Sequence, residues 1–397
     1  MNRSPALIVH VLYRFGVGGL ENGVVNLVNR LPRQSWRHAV IALSGIDNAF
    51  AARLTRHDTE LVSLNKGPGH AARLYPSLYR MFSSMRPAIV HSRNLAALET
   101  TVPAWAARVP VRIHGEHGRD EHDPEGRNVK RRWIRRLFRP FVDHYIAVSP
   151  DLERYLVDRI GVSARDVDQI YNGVDTTHFR PVPSRVPIDG APFADPRHFI
   201  LGTVGRLDPV KAQTQLAQAF ARAVSEAPAE RAHWRLVVVG TGPLRSQIES
   251  ILAAARLLDR VWLAGERHDI ARLMRGLDAF VLPSLAEGVS NTILEAMASG
   301  LPVVATRVGA NAELVGTAGT IVPASDMQAL IGALVKYDID RGRAHLDGRA
   351  ARARVEEHFS LDRMVDRYDR LYRRLVADRA GGGRWARRAG ARDVATH

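Results

Sequence analysis

Ala279-Phe-Val-Leu-Pro-Ser-Leu-Ala-Glu287-Gly-Val-Ser-Asn-Thr-Ile-Leu-Glu295-Ala-Met-Ala-Ser-Gly300 decides how this chain folds. The run 279–282 is the unbroken apolar segment of a strand covered on both faces. Ser290 or Asn291 then serves as the N-cap of a helix. Glu287 therefore falls in the loop at the strand's carboxyl end, and Glu295 about one turn into the helix. In an open parallel sheet that crevice is where ligands bind, and a helix N-terminus there offers N–H groups to a phosphate. One carboxylate on ribose hydroxyls and another beside a reacting sugar would complete a nucleotide-sugar site. Two solvated glutamates on a surface loop and helix are the plainer alternative, and the stretch alone leaves both open.

The same strand–loop–helix junction recurs elsewhere. Gly202-Thr-Val-Gly-Arg206-Leu-Asp-Pro-Val-Lys211 places Arg206 just past a strand and Lys211 near the start of the next helix. Two cations converging there would hold a diphosphate, arginine bidentately; a solvated Arg and Lys are the alternative. Val238-Val-Gly240-Thr-Gly242-Pro243 is a third junction, with a proline early in its helix, and reads as structural. Gly16-Val-Gly-Gly19 follows the first strand and lacks the spacing of a dinucleotide fingerprint, so a tight turn and a ligand loop are both open.

Apolar runs at 7–12, 38–43, 60–64, 88–91, 111–114 and 145–148, then 199–204, 236–239, 261–263, 279–282, 303–306 and 320–322, alternate with helical patterns. This is the sequence of two doubly wound α/β domains with parallel sheets. Residues 1–180 are expected to form the first and 199–360 the second. The five prolines of 181–196 make 181–198 an interdomain linker, with a ligand cleft between the domains. A helix is expected over 361–376, from the period of Leu361, Met364, Val365, Tyr368, Leu371, Tyr372 and Leu375. Residues 377–397 read as a small basic, disordered tail.

The 397 residues carry a net charge of +15, with 46% hydrophobic and 24% charged residues, an ordinary globular composition. No run of eighteen apolar residues and no signal peptide are evident. The lack of cysteine excludes disulfides, thiolate metal ligands and a cysteine nucleophile, and fits a cytoplasmic address. Part of the charge lies in Arg127-Asn-Val-Lys-Arg-Arg-Trp-Ile-Arg-Arg-Leu-Phe-Arg139, where Trp133, Ile134, Leu137, Phe138 and Phe141 recur at helical spacing. A helix of this kind suits an anionic membrane surface, and a core helix with a basic outer face is the alternative. Nucleic-acid binding has no recognisable module to support it. His114-Gly-Glu-His117-Gly-Arg-Asp-Glu-His122-Asp has neither zinc-helix nor calcium-loop spacing. It reads as a polar loop with one histidine facing the cleft rather than a metal site. Asp338-Ile-Asp340, which resembles a metal clasp, reads as surface.

Taken in order, the Glu287/Glu295 pair, Gly-Arg206…Lys211, Val238–Pro243, Tyr171-Asn-Gly-Val-Asp175-Thr-Thr-His-Phe-Arg-Pro181 and Leu301-Pro-Val-Val-Ala-Thr306 resemble the retaining glycosyltransferases of family 4. Their fold is GT-B, two Rossmann-like domains facing across a cleft. Gly18-Gly-Leu-Glu-Asn-Gly23, Val90-His-Ser-Arg-Asn94 and Arg112-Ile-His-Gly-Glu-His-Gly-Arg119 look most similar to the sugar transferases of exopolysaccharide clusters associated with PEP-CTERM sorting. The resemblance spans about residues 6–376. It implies a hexosyltransferase-type enzyme moving a sugar from a nucleoside-diphosphate sugar, a UDP-sugar above others, to a glycan or lipid-linked acceptor, without a metal or other cofactor.

It also implies roles. Arg206 and Lys211 would bind the donor diphosphate, helped by backbone amides near Asn291 and Thr292. Glu295 would hold the ribose hydroxyls and Glu287 the donor sugar. Gly18 and Gly19 would approach the phosphates, and His117, with His114 competing, would lie near the sugar. The helix 361–376 would cross back to the first domain, and the protein would be cytoplasmic, peripheral on the inner membrane face. Ala212, Ala310 and Arg93 stand where glycine or asparagine, a second glycine, and histidine are common; the last bears on the acceptor side. A sugar-nucleotide 2-epimerase of the same fold and a non-catalytic basic protein docked on a membrane or nucleic acid are the rival functions.

Overall fold

Because the apolar runs have no polar alternation, each strand must be covered on both faces, which only helical crossovers in a parallel sheet provide. A computed structural model of the protein, which describes residues 4–67, 69–118, 123 and 126–381, has that arrangement in two units. One unit runs to Asn172 and resumes at Asp362; the other is Gly173–Leu361.

The first unit carries strands β1 (Ala6–Phe15), β2 (Trp36–Ile46), β3 (Glu60–Ser63), β4 (Ile89–Arg93), β5 (Val111–Glu116), β6 (His144–Ala147) and β7 (Val167–Gln169). Their order in the sheet is β3-β2-β1-β4-β5-β6-β7, all parallel, with Val9 opposite both Ala39 and Val90. The strand order therefore reverses between β1 and β4. β7 was not foreseen from sequence: Val167-Asp-Gln is three residues long and mostly polar, below the threshold of an apolar run. The helix Leu361–Ala380 turns the residues of its expected apolar stripe, Leu361 through Leu375, into the protein. The Trp36 indole donates to Asp369 (2.6 Å), and the Tyr372 hydroxyl lies 2.8 Å from His91 Nδ1.

The second unit carries β8 (Phe199–Val204), β9 (Trp234–Val239), β10 (Val261–Gly265), β11 (Ala279–Leu282), β12 (Val303–Thr306) and β13 (Thr320–Val322). Their order is β10-β9-β8-β11-β12-β13, again parallel, so the reversal lies between β8 and β11. Phe199, Leu216, Phe220, Trp234, Leu252 and Tyr337 fill the core on one side of this sheet. The proline-rich stretch packs onto the same unit. Ile188 and Phe193 are buried, Val186 N–H donates to the Arg275 carbonyl (3.2 Å), and Arg185 bonds Asp278 and the Pro196 carbonyl. Lacking ladder donors, the prolines leave anchoring to side chains and to the few N–H groups between them.

Asp338 is not a plain surface residue: its carboxylate accepts from Trp234 Nε1 (2.6 Å) and Arg341 (2.7 Å), with His233 Nε2 at 2.8 Å. Asp340 caps the following helix at Arg343 N–H (2.7 Å). Among the described residues no helix is long and apolar enough to cross a membrane. The tail from 382 on lies outside the described residues.

Candidate functional site

At the reversal point of the second sheet, the loops after β8 and β11 end side by side, and Leu285 N–H donates to the Val210 carbonyl (2.7 Å). This brings Lys211 Nζ to 2.7 Å from Glu287 Oε1. Glu287 is also gripped by Ser284, whose hydroxyl donates to the same oxygen at 2.6 Å. The glutamate side chain is 7% exposed and the lysine 21%, so the pair faces solvent mainly from the lysine side. Burying a carboxylate this far requires such partners. Ser284 is itself fixed by Thr306, whose hydroxyl donates to the Ser284 carbonyl (2.5 Å).

Backbone geometry holds the loop that carries these groups. Gly309 has φ +51°, and a Cβ there would run into the Glu287 carbonyl. The next residue, Ala310, has φ −88°, an ordinary conformation, which is why alanine is accepted where a second glycine is common. Ala212 is different: it precedes the helix Gln213–Glu226 at φ +51°, the left-handed region where glycine or asparagine costs less.

Arg206 follows β8 and pairs with Asp208 (3.1 Å), its side chain largely exposed. Its loop is locked to the turn after β9 by Leu207 N–H to Thr241 (2.8 Å) and Leu244 N–H to Leu207 (3.1 Å). Gly240 and Gly242 permit that approach, since a Cβ at either would strike the carbonyls of Gly205 or Leu207. The junction read as structural is thus what shapes the Arg206 loop. The helix Asn291–Ala298 begins beside Glu287, with Ser290 as its N-cap, its hydroxyl accepting from Ile293 N–H (3.3 Å). Asn291 and Thr292 form its first turn. Glu295, half-buried, lies on the second turn.

In the first unit, Gly18 caps the helix Gly19–Arg30 in extended backbone at the end of the β1 loop. A Cβ at Gly18 would strike the Glu21 carboxylate. His114 on β5 is fully buried, 2.9 Å from the Ser92 hydroxyl and 3.5 Å from Glu116. Glu116 is chelated by Arg135 at 2.6 and 3.2 Å. Burial opposes its ionisation, but Arg135 and His114 outweigh that and hold its carboxyl at about 2. His117 follows β5, its N–H bonded to Asn94 Oδ1 (2.8 Å). Burial, then Arg93, pushes the His117 imidazole down to about 3, so the ring is neutral at physiological pH.

Arg93, expected to face an acceptor, turns inward instead. Its guanidinium lies 3.1 Å from His10 Nδ1 and 3.3 Å from His91 Nδ1, and burial with this cation keeps both imidazoles neutral. The sheet interior recruits it because the His10 and His91 rings and the His91 carbonyl offer acceptors there. Among the described residues no group of three potential ligands could hold a metal ion; His122 lies outside them.

Lys211, Glu287 and the start of the Asn291–Ala298 helix are therefore gathered at one strand-end crevice, with Arg206 on the adjoining loop. Ser284 was missed; its signal in sequence was a small hydroxyl residue closing the apolar run three positions before Glu287.

Residues 17–178 match the family described as Glycosyltransferase Family 4, and residues 198–337 the one described as Glycosyl transferases group 1. The lipopolysaccharide core mannosyltransferase LpsB of Rhizobium meliloti (strain 1021) is 32% identical over 52% of this chain, a match spanning 60% of LpsB. The UDP-Gal:alpha-D-GlcNAc-diphosphoundecaprenol alpha-1,3-galactosyltransferase of Escherichia coli is 26% identical over 76% of this chain and 79% of its own length. The crystal structure of Anabaena HepE with UDP and glucose superposes with a TM-score of 0.75 over 92% of this chain and 99% of HepE, at 21% identity, a likeness of fold. With both sheets parallel and its two halves matched in order by a family 4 model and a group 1 model, the chain has the GT-B fold of a glycosyltransferase.

Proposed function

We propose that this enzyme transfers a hexose from a UDP-sugar, with retention at the anomeric carbon, to a lipid-linked glycan at the cytoplasmic face of the inner membrane. The pathway is exopolysaccharide synthesis of the PEP-CTERM-associated kind, which the motifs around Gly18, Arg93 and His117 resemble. The observation that carries the reading is the Lys211–Glu287–Ser284 cluster beside a capped helix N-terminus at the sheet reversal. Two similar proteins, a UDP-Gal transferase acting on a diphosphoundecaprenol and HepE bound to UDP and glucose, support the choice of nucleotide and acceptor class.

Arg206 and Lys211 receive the diphosphate, the latter by exchanging Glu287 for phosphate oxygens. The amides of Asn291 and Thr292 complete the anion site, and Glu295 accepts from the ribose hydroxyls. Glu287, released from the lysine, accepts from a donor-sugar hydroxyl. For the first unit, Gly18 and Gly19 are assigned to phosphate contact and His117 to the sugar as a neutral hydrogen-bonding imidazole. Among the described residues no nucleophile and acid–base carboxylate pair flanks one point, so a front-face route is preferred to a double displacement. The bond from the anomeric carbon to the diphosphate oxygen breaks with its electron pair on the phosphate. The acceptor hydroxyl bonds to that carbon from the same face and passes its proton to the departing oxygen. The cations stabilise the charge as it grows.

Thermal unfolding against a panel of nucleoside diphosphates and their sugars tests this. A ligand at about a hundred times its Kd adds roughly 2.7 kcal/mol, a shift of several degrees. A shift confined to uridine nucleotides supports the reading; none with any nucleotide, in folded protein, overturns it. Conversion of the nucleotide sugar without acceptor would identify the epimerase instead.

A further inference from the structure

The Val129–Phe138 helix is mounted with its apolar edge to solvent. Its sequence, Val129-Lys-Arg-Arg-Trp-Ile-Arg-Arg-Leu-Phe138, contains no acid. Arg135 points inward, 5% exposed, bound to Glu116 and lying over the Tyr155 ring. Because that arginine takes the inner face, Trp133 and Leu137 stand outward, 65% and 64% exposed, with exposed Val129 one turn before them. Residues four apart form one continuous stripe, and globular helices normally turn such a stripe inward. Trp105, also exposed, packs edge-on to Phe141 just beyond the helix.

Four of the cations beside the stripe meet no carboxylate among the described residues. Arg136 and Arg139 are held by the carbonyl oxygens of Arg159 and Gly161, and neither they nor Lys130 and Arg132 pair with a carboxylate among the described residues. Surface arginines elsewhere pair along their own helices, as Arg222 with Glu226 and Arg373 with Asp369 do. An apolar edge flanked by these four cations complements an anionic bilayer, where acyl chains and headgroup phosphates are met together.

We infer that this face docks the protein on an anionic lipid membrane, with Trp133 and Leu137 entering the headgroup–acyl boundary. This rests on the reading of a lipid-linked acceptor and specifies how the enzyme reaches it. The Arg135–Glu116 pair sets the helix's rotation and so decides which side chains meet the lipid.

The test uses the full chain, sedimented with vesicles of phosphatidylcholine alone and with vesicles containing about one-quarter phosphatidylglycerol, at about 0.1 M salt. Binding is expected to the anionic vesicles only. Trp133→Ser with Leu137→Ser should weaken it at least about tenfold. Lys130→Glu with Arg132→Glu should weaken it about fivefold or more per charge. Both variants should keep the wild-type melting temperature and the wild-type rate on a water-soluble acceptor. The inference is overturned if the wild type ignores anionic vesicles, if either variant binds as the wild type does, or if the serine variant dissociates a wild-type dimer, which would assign the stripe to a second copy. The nucleotide-dependent melting shift is read separately, so failure of docking and failure of the transferase reading are distinguishable.

Discussion

Lys211→Ala removes the cation held 2.7 Å from Glu287. Two effects follow, and their sizes differ. On turnover, the proposed assignment has the variant lose one fixed charge aimed at the leaving diphosphate, about 3–4 kcal/mol in the transition state, or a loss of 10²–10³ in kcat. On stability, Glu287 loses its ion pair but keeps the Ser284 hydroxyl at 2.6 Å. A fully buried broken pair costs about 3–5 kcal/mol, and the partial exposure of Lys211 reduces that to roughly 1–2. A unit of this size would then melt about 2–8 °C lower, still folded at 25 °C. Glu287→Gln separates the roles: Lys211 is freed for phosphate, so nucleoside diphosphate binding holds or tightens while turnover falls. The assay is initial-rate nucleotide release with acceptor, alongside calorimetry, with Lys211→Arg as a charge-retaining control. A folded Lys211→Ala enzyme turning over within about threefold of wild type would refute the assignment.

Glu116, held down to about 2 from 4.5 against burial by Arg135 and His114, contributes about 3 kcal/mol that is complete above pH 4.5 and disappears as pH falls toward 2. Arg135→Met should therefore flatten the acid limb of the melting-temperature profile and lower stability at pH 7 by about 3 kcal/mol, checked by calorimetry across pH. Ala212→Gly relieves the left-handed backbone at φ +51° and should raise the second unit's melting point by about 1–4 °C without altering rate; a lower melting point would deny the strain. Gly309→Ala forces a methyl against the Glu287 carbonyl and should cost about 1–3 kcal/mol and at least tenfold in turnover, seen together in melting and rate measurements.

Much of the scaffold was legible because parallel strands covered on both faces announce themselves as unbroken apolar runs: 199–204, 279–282, 303–306 and 320–322 coincide with β8, β11, β12 and β13. The strand ends then locate Arg206, Lys211 and Glu287 without further information. Pairing was not legible. Nothing local says that Glu287 takes Lys211, seventy-six positions earlier, or that Arg93 folds back onto His10 and His91 rather than outward. The 129–138 helix shows the limit most plainly. Its apolar residues recur at helical spacing, yet Arg135 is inside, because Glu116 on β5 needs a cation and that demand outweighs hydropathy. Short polar β7 escaped for lack of signal, and Asp338 seemed exposed because its indole and guanidinium partners are remote or downstream.

The cross-bracing of the turns after β8 and β9, backbone to backbone through Leu207, Thr241 and Leu244, has a consequence for how this enzyme can diversify. The main chain around position 206 is set by its neighbour, not by the side chain it carries. Substitutions there can vary reach and charge while the peptide plane stays put. The loop is thus a fixed mount with an interchangeable tip, and libraries probing the proposed diphosphate contact should begin at that tip and leave the glycines beneath it alone.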